Sequence, residues 1–315
     1  MTIRTVTMSP GFDHVVRVDE ATSGGVARVL AWETLASGKG VNVAREATKL
    51  GASCVAYSLI GEVDQDTFVD LIHKTGAGAV VLPVPGSTRM NLTLEIEGSG
   101  SIASHAVGPR LVAEDSDADG LIALLVDQVE PGDVVTFNGA LPDAVRPEVW
   151  ADAAHALTDR DVTVIADVQN DALVAVVDTG RVTMAKPNED EARALPGVGE
   201  LASVDAAAAA ALAWMHDRGV ADPVVSLGER GIVYLDDGAT VRSWCPVTKQ
   251  RVVVGAGDAF IAGYCSALDS HSWSGQDPLT LGLAAAAVHV AGTCGTHLDA
   301  VREAVTRVRH EPWAV

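Results

Sequence analysis

The sequence predicts an α/β fold, with a largely parallel sheet that carries helices on both of its faces. Short apolar runs alternate with helical patterns along most of the 315 residues, which is typical of strand–helix–strand units. The length is sufficient for one large α/β domain or two smaller ones. Because no linker-like stretch or internal repeat divides the sequence, we expect a single domain over residues 1–315, in three layers of helices, sheet and helices.

Composition and charge limit the partners that the chain can have. Hydrophobic residues make up 48% of the sequence and charged residues 20%, as in a globular protein. The 22 basic and 42 acidic residues give a net charge of -20, which excludes a general attraction to nucleic acid or to an anionic membrane. An anionic substrate must therefore be held by local basic residues and backbone N–H groups.

The N-terminus and the cysteines indicate the compartment. Residues 1–6 lead directly into a strand pattern without a signal-type segment, and no apolar run reaches about 18 residues. The cysteines show no metal-ligand spacing, so reduced thiols are expected at Cys54, Cys245, Cys265 and Cys294. We expect a soluble cytoplasmic protein.

The first part of the chain predicts a core strand and a small separate sheet. Residues 4–8 form the core strand and a Pro-Gly loop follows, so Asp13 lies where open α/β sheets place ligand-binding groups. A turn-forming role would also explain Asp13. Two pairs of short strands follow each other without a helix between the strands of a pair. The first pair is 15–18 with 29–34, and the second is 88–97 with 101–107 around a Gly-Ser-Gly turn at 98–100. Because four short strands cannot fold alone, we expect a small β-sheet lid, contributed by about residues 14–36 and 87–108.

The remaining segments build the main body. Helical patterns cover residues 41–50, 66–75, 117–129, 147–157, 204–217, 259–268 and 278–291. Apolar runs between them predict strands at 55–60, 80–82, 134–138, 162–167, 182–186, 224–227 and 232–235.

A glycine-rich turn near the C-terminal end is the first candidate site. Residues 252–260 read Val-Val-Val-Gly-Ala-Gly-Asp-Ala-Phe, which predicts a strand end, a tight turn and the start of a helix. Unpaired N–H groups and the helix dipole make such a turn an anion site. Asp258 would repel an anion there unless it has a task such as taking a proton from an attacking hydroxyl. A helix-capping role explains this short motif equally well.

A second glycine-rich turn lies upstream. Residues 37–45 read Ser-Gly-Lys-Gly-Val-Asn-Val-Ala-Arg and place two glycines around Lys39 at the beginning of a helix. The turn suits an anion or a hydroxyl group, and Asn42 in the first helical turn can both donate and accept hydrogen bonds. The spacing differs from that of a Walker loop.

Together, these motifs resemble the ribokinase-like, or PfkB, family of carbohydrate kinases. Further landmarks occur in family order at Asp13, Gly61, 88–91, 138–142, 186–191 and 225–231, so the resemblance covers nearly the whole chain. Within the family, the chain is most similar to the branch of 1-phosphofructokinase, tagatose-6-phosphate kinase and the minor 6-phosphofructokinase. The resemblance implies a ribokinase-like fold and ATP-dependent phosphotransfer to a hydroxyl of a sugar phosphate.

The resemblance also implies roles for individual residues. Asp258 matches the catalytic base, and the backbone amides of Gly255, Ala256 and Gly257 match the anion hole for the transferred phosphoryl group. The sugar and its phosphate would be contacted by Asp13, Gly38, Lys39, Asn42, Arg89, Arg28 and Asn138. ATP would be contacted by Lys186, Asn188, Ser226, Gly228, Gly231, His289 and Gly295. A lone histidine such as His289 is more often structural.

The same resemblance implies a magnesium ion and a homodimer. Asn188 and Glu191, spaced i and i+3, match an element that organises hydrated Mg²⁺ near the phosphates, although a helix cap would use the same residues. The β lid would pair with a second subunit. No nucleic-acid or membrane partner is expected.

Several positions depart from the branch pattern, chiefly where the sugar is recognised. They include Ser37 in place of a first glycine, Ser9, Ala140, the segment 167–170 and the segment 105–109. Two alternatives therefore stay open. One is a kinase of a non-phosphorylated sugar or nucleoside, and the other is a non-catalytic sugar-binding regulator, which would not need Asp258.

Overall fold

The structure is a computed structural model that describes residues 1–19, 25–97, 102–199, 201, 203–252, 254–269, 273–292 and 297–313. Its ten-stranded main sheet has the order β14-β13-β12-β11-β10-β9-β8-β1-β4-β5. The strands are β1 (Ile3–Thr7), β4 (Cys54–Gly61), β5 (Gly78–Val84), β8 (Val134–Gly139), β9 (Thr163–Val168), β10 (Met184–Ala185), β11 (Asp222–Ser226), β12 (Ile232–Asp236), β13 (Ala239–Trp244) and β14 (Arg309–Pro312). Pairing from β5 through β11 is parallel, whereas β11 to β14 are antiparallel, so the predicted α/β class is confirmed.

Helices cover both faces of this sheet. They are α1 (Lys39–Lys49), α2 (Gln65–His73), α3 (Asp115–Gln128), α4 (Val149–Ala156), α5 (Asp171–Val177), α6 (Glu189–Arg193), α7 (Val204–His216), α8 (Ala256–Leu268), α9 (Pro278–Ala291) and α10 (His297–Val305). Helices α3 to α7 share one buried cluster with Val6 of β1, and α1, α2 and α8 share another with Ile3. Because Ile3 and Val6 point to opposite faces of the strand, the molecule has three layers. No helix in the described ranges is long and apolar enough to cross a bilayer.

A second sheet contains the four short strands in the order β3-β2-β6-β7. They are β2 (Gly11–Val18), β3 (Val29–Ser37), β6 (Arg89–Ile96) and β7 (Ile102–Val107). The predicted turn at 98–100 lies outside the described residues. Strand β2 begins four residues after β1 ends, so Asp13 lies within the second sheet and not in a loop after the first core strand. The loop prediction was wrong there because Gly11, the glycine of that turn, already pairs with β3 and β6.

Other element predictions need correction. Helices α5, α6 and α10 and strands β13 and β14 were not predicted, since most of them are too short to show a clear periodicity. Residues 252 and 254 are not in a strand, and helix α8 begins at Ala256, three residues before the predicted start. Asp258 is therefore inside the first helical turn. The thiols of Cys54, Cys245 and Cys265 are free, and Cys294 lies outside the described residues.

Candidate active site

Glycines bring the beginning of α1 against the carboxyl ends of the central strands. Gly38, the N-cap, has a φ of 129°, and a Cβ added there would lie 2.9 Å from Thr7 Cγ2. A Cβ at Gly40 would collide with Thr7 Oγ1 and would lie 3.0 Å from Asn138 Nδ2. Only glycine permits this approach, and the approach places Lys39 and Asn42 at the edge of the sheet.

The turn before α8 supplies the second half of the site. Gly255 is the N-cap with a left-handed φ of 89°, and the helix starts at Ala256. The amides of the first turn have no partner within the helix, so their N–H groups and the helix dipole favour an anion. Asp258 belongs to the same turn and is only 7% exposed.

A hydrogen-bonded chain from α1 orients the Asp258 carboxylate. Asn42 Nδ2 donates to Asp258 Oδ2 at 2.8 Å, and Arg45 Nη2 donates to Asn42 Oδ1 at 2.8 Å. The arginine fixes the Asn42 amide so that its NH₂ group faces the aspartate. The two motifs that were recognised separately in the sequence thus meet in one contact.

Two lysines and a buried carboxylate lie beside Asp258. Asp167 at the end of β9 is 2% exposed and lies 3.3 Å from Lys186 Nζ and 3.4 Å from Lys39 Nζ. Burial would raise the pKa of Asp167, but the two ammonium groups outweigh it and lower the pKa. Asp167 in turn is the main cause of the raised pKa of Lys39. A Cβ added at Gly257 would lie 3.3 Å from Lys186 Nζ, so that ammonium group is next to the turn.

The Asp258 environment makes its carboxylate more basic. Burial and then the charge of Asp167 raise its pKa to about 6, against the opposing effects of Asn42, Lys39 and Lys186. A carboxylate with this pKa is ionised at neutral pH yet takes a proton more readily than an exposed aspartate. The arrangement suits general-base chemistry next to an anion site.

Asn188 and Glu191 form a reciprocal helix cap. Glu191 N donates to Asn188 Oδ1 and Asn188 N donates to Glu191 Oε2, both at 2.9 Å. The other carboxylate oxygen, Glu191 Oε1, lies 3.8 Å from Lys39 Nζ. The described residues hold no group of three His, Cys, Asp or Glu side chains suited to a metal ion. The carboxylate oxygen of Glu191 outside the cap suits a cation that keeps its water shell, which is how Mg²⁺ commonly binds.

The other residues assigned to ATP lie around this region. Ser226 ends β11, Gly228 begins the 3₁₀ turn that follows it, and Gly231 comes directly after that turn. A Cβ at Gly231 would collide with Ser243 O, so packing against β13 alone requires that glycine, whereas Gly228 faces open space. His289 Nε2 lies 2.8 Å from Val254 O. Gly295 lies outside the described residues.

The residues assigned to the sugar are spread over two sheets. Asn91 Nδ2 donates to Asp13 Oδ1 at 2.7 Å, which connects β6 with β2. Arg89 is half-buried, and its Nε has no hydrogen-bond partner among the residues that the structure describes. Burial lowers the pKa of Arg89, Asp13 raises it and the nearby Arg110 lowers it further. Arg110 also lines a cleft of about 220 Å³ with Gln169 and Asn170, beyond the ends of β8 and β9.

Two other residues assigned to the sugar have surroundings that differ from those of Asp13 and Arg89. Asn138 is fully buried, and its Nδ2 donates to Thr136 Oγ1 at 2.6 Å, so it supports the wall under Gly40. Arg28 is exposed, and its backbone N–H donates to Asp19 at 2.9 Å.

Sequence reasoning missed several residues that the structure brings into the site. Asp167, Arg45, Asn91 and Arg110 each contact or influence an assigned residue. One signal was available for Asp167, because it ends a predicted strand at the same sheet edge as Asn138. Arg45 lies three residues after Asn42 on a predicted helix, where side chains meet.

Comparison with known proteins gives a consistent result. The sequence model of the family described as "pfkB family carbohydrate kinase" matches residues 7–297. The 1-phosphofructokinase of Vibrio cholerae is 28% identical over 261 residues, covering 83% of this chain and 81% of that protein. The ATP-dependent 6-phosphofructokinase isozyme 2 of Escherichia coli is 27% identical over 259 residues, covering 82% of this chain and 83% of that protein.

A solved structure resembles the whole described fold. It is phosphofructokinase-2 from Escherichia coli in complex with fructose-6-phosphate, with a TM-score of 0.83 and 25% sequence identity. The alignment covers 96% of this chain and 98% of that one.

Proposed function

The chain belongs to the pfkB family of carbohydrate kinases, and we propose that it transfers a phosphoryl group from ATP to a hydroxyl of a sugar phosphate. The observation that carries this proposal is the contact between Asn42 and Asp258, which orients a buried, basic carboxylate at the amino end of α8. A helix cap alone would not need a second helix to hold its carboxylate.

The geometry supports one reaction sequence. The sugar hydroxyl oxygen attacks the γ-phosphorus of ATP, the bond from that phosphorus to the β-phosphate oxygen breaks, and the hydroxyl proton passes to Asp258. Amides of Gly255, Ala256 and Gly257 donate to the transferred group, and the Lys39 and Lys186 ammonium groups offset its charge. Asp258 then returns the proton to solvent when ADP and the phosphorylated sugar leave.

Magnesium would enter this site with the nucleotide. The ion supplies positive charge that neutralises the phosphates, and Glu191 and Asn188 would hold it through its water ligands. The Glu191 oxygen outside the cap lies next to the Lys39 ammonium group, so a hydrated cation and a phosphate would bind close together there.

Two arginines favour a substrate that already carries a phosphate. Arg89 and Arg110 are close enough for the charge of Arg110 to lower the pKa of Arg89, and within the described ranges the Arg89 Nε lacks a hydrogen-bond partner. Arg110 Nη1 donates to Asp143 Oδ1 at 2.7 Å, and its other N–H groups can still bind a dianionic group through paired hydrogen bonds. We therefore place the sugar phosphate between them, as in a 1-phosphofructokinase-like hexose phosphate kinase, with Asp13 near its hydroxyl groups.

We also propose that the small sheet acts as a lid and pairs two subunits. Trp32, Met90 and Leu92 are 67%, 64% and 45% exposed, and strand alternation places them on the face opposite Asp13. An exposed apolar face of this kind is typical of an interface, and a second copy of the sheet would cover it. Because the reaction consumes ATP, we place the protein in the cytoplasm.

The first experiment is an ATP-consumption assay with Mg²⁺ and a panel that pairs free hexoses and pentoses with their phosphates. Turnover of fructose 1-phosphate, fructose 6-phosphate or tagatose 6-phosphate is expected. Turnover of free sugars or nucleosides alone would contradict the phosphate site, and the absence of turnover with measurable sugar binding would favour a regulator.

The Arg89→Ala variant tests the phosphate site separately. The KM of the phosphorylated sugar should rise by about 10-fold to 100-fold, because hydrogen bonds to a charged group contribute about 1.5–3 kcal/mol. The KM of the unphosphorylated analogue should change little. Arg160→Ala, an exposed arginine beyond α4, is the matched control, and equal effects on both sugars would remove Arg89 from the phosphate site.

A further inference from the structure

A titratable pair behind the α8 turn has no part in the phosphotransfer steps. Glu46 on α1 is only 2% exposed, and its Oε1 lies 3.8 Å from Nδ1 of His289 on α9. The other ring nitrogen, His289 Nε2, lies 2.8 Å from the carbonyl oxygen of Val254. The histidine therefore lies between a buried carboxylate and the residue that immediately precedes the anion-binding turn.

The ring also packs directly against that turn. A Cβ added at Gly255 would lie 3.1 Å from His289 Nε2 and 3.2 Å from its Cε1. One histidine thus accepts no side chain at Gly255 without displacement, and it binds the carbonyl of Val254 through a hydrogen bond. Movement of the ring would move the backbone that carries the amides of Gly255 and Ala256.

Both partners of the ring are acceptors. A neutral imidazole has one N–H group and could face only one of them as a donor, whereas the imidazolium ion faces both. The Glu46 carboxylate, against the opposing effect of burial, raises the pKa of His289. Burial would raise the pKa of Glu46, but His289 and Lys49 outweigh it and lower the pKa to about 2. Both shifts favour the charged form of the pair.

Other charged groups around the pair come from three elements. On α1, Lys49 Nζ and Arg45 Nε lie 2.9 Å and 3.7 Å from Glu46 Oε1. On α10, His297 Nε2 lies 3.8 Å from Glu46 Oε2, and burial lowers the pKa of His297. The side chain of Arg251, ahead of the turn, packs near Gly292 at the end of α9. Within this cluster, the hydrogen bond from the His289 ring to Val254 is the link to the turn.

We propose that His289 is a positioning residue, which ties the Val254 carbonyl and the α8 turn to Glu46 of α1 and so aligns the anion hole with the Asp258 base. The proposal rests on the proposed function for its kinetic consequence. Helix α1 then positions both the base and the anion-binding turn. It holds Asp258 through Asn42, and it holds the turn through Glu46 and His289. In this proposal His289 acts through the backbone of the turn.

The decisive variants are Glu46→Gln and His289→Gln, which keep side-chain volume and remove one charge each. In Glu46→Gln, the pKa of His289 should fall toward its usual value. A lower pKa reduces the imidazolium fraction at a pH above both pKa values, so kcat near pH 8 should fall in this variant. The KM of ATP should stay within about twofold, because ground-state binding is unchanged.

The pH profile of kcat distinguishes a positioning role of His289 from a purely structural role. In the wild type, the alkaline fall of kcat should follow the His289 titration, and in Glu46→Gln this fall should move to lower pH. In His289→Gln the fall should disappear, because glutamine donates to Val254 at every pH. His216→Gln, an exposed histidine at the end of α7, is the matched control and should reproduce the wild-type profile.

An NMR titration of the ligand-free protein tests the proposal without any substrate. The Gly255 and Gly257 amide resonances should titrate with the His289 ring in the wild type, and with a lower pKa in Glu46→Gln. Ring titration without a change at these amides would overturn the proposal. So would a His289 variant that raises the KM of ATP at constant kcat. Failure of every sugar in the assay panel would instead count against the proposed function and leave the NMR result intact.

Discussion

At the residue scale, the site depends on one carboxylate held in an unusual environment. Asp258 combines burial with a neighbouring carboxylate, Asp167, and with two lysines whose charges balance those of the two carboxylates. The lysines favour phosphate, while burial and Asp167 keep Asp258 basic. The lysines alone would produce an anion site, and burial beside Asp167 alone would produce a basic carboxylate. Their combination allows both properties within one helical turn.

Replacement of the base is the most direct test. Asp258→Asn should lower kcat by about 100-fold or more, because general-base catalysis contributes about 10²–10⁴-fold. Nucleotide affinity, measured by calorimetry, should be nearly unchanged or slightly stronger, since a negative charge near the phosphates is lost. Near-normal turnover would refute the assignment.

The pH dependence follows from the same carboxylate. Only ionised Asp258 can accept a proton, so kcat/KM of the wild type should fall as the pH drops below about 6. In Asp167→Asn, a repelling charge is removed and Lys39 and Lys186 lose their partner, and both changes lower the pKa of Asp258. The acid limb should therefore move to lower pH. A limb that stays in place would show that Asp167 does not influence the base.

At the scale of the elements, close packing between α8 and α9 determines where the turn lies. A Cβ added at Gly263 of α8 would lie 2.6 Å from Leu281 O and 2.8 Å from Gly282 Cα. A Cβ at Gly282 would lie 2.9 Å from Phe260 Cδ2. Small residues thus let the two helices touch through their backbones, and this contact brings His289 of α9 to the turn that begins α8.

Substitution of this glycine should separate the helices. Gly263→Ala should lower the free energy of unfolding by about 1–3 kcal/mol, because the new methyl group overpacks against backbone atoms. Gly120→Ala in α3 is the matched control, since its Cβ meets the flexible end of the Leu82 side chain at 3.1 Å. That change should stabilise the helix by about 0.5–1 kcal/mol. Urea unfolding that ranks the two variants in the opposite order would contradict the packing argument.

At the scale of the whole molecule, the proposed site includes residues of both sheets. The main sheet brings α1, α8 and β9 together at one edge, and the four-stranded sheet carries Asp13, Arg89 and Asn91, for which we propose a role at the sugar. The substrate would bind between the two sheets, so its affinity depends on how firmly the small sheet is held. A second subunit would hold it by covering the face that carries Trp32.

The proposed dimer has a simple test. The double change Trp32→Ser and Leu92→Ser should convert dimers into monomers in sedimentation experiments and raise the KM of the sugar phosphate more than that of ATP. Val63→Ser is the control outside the sheet, because Val63 is an apolar residue that is 69% exposed and lies just before α2. A wild-type monomer at working concentration would exclude the dimer.

Local patterns in the sequence were sufficient to predict the fold class and the two turns of the site. Alternating apolar runs predicted the parallel sheet, because strand and helix periods are set by backbone geometry alone. The two glycine turns marked the beginnings of α1 and α8, because glycine conformation and helix-end chemistry are local properties. The resemblance to one family followed from those motifs and their order along the chain.

The tertiary structure alone decided how the marked residues meet. Asn42 and Asp258 are 216 positions apart, so their contact depends on packing of α1 against α8 and not on any local pattern. The same packing paired Asp167 with two lysines and brought His289 to Val254. The basicity of Asp258 is likewise invisible in the sequence, since a pKa depends on burial and on charges that only folding brings close.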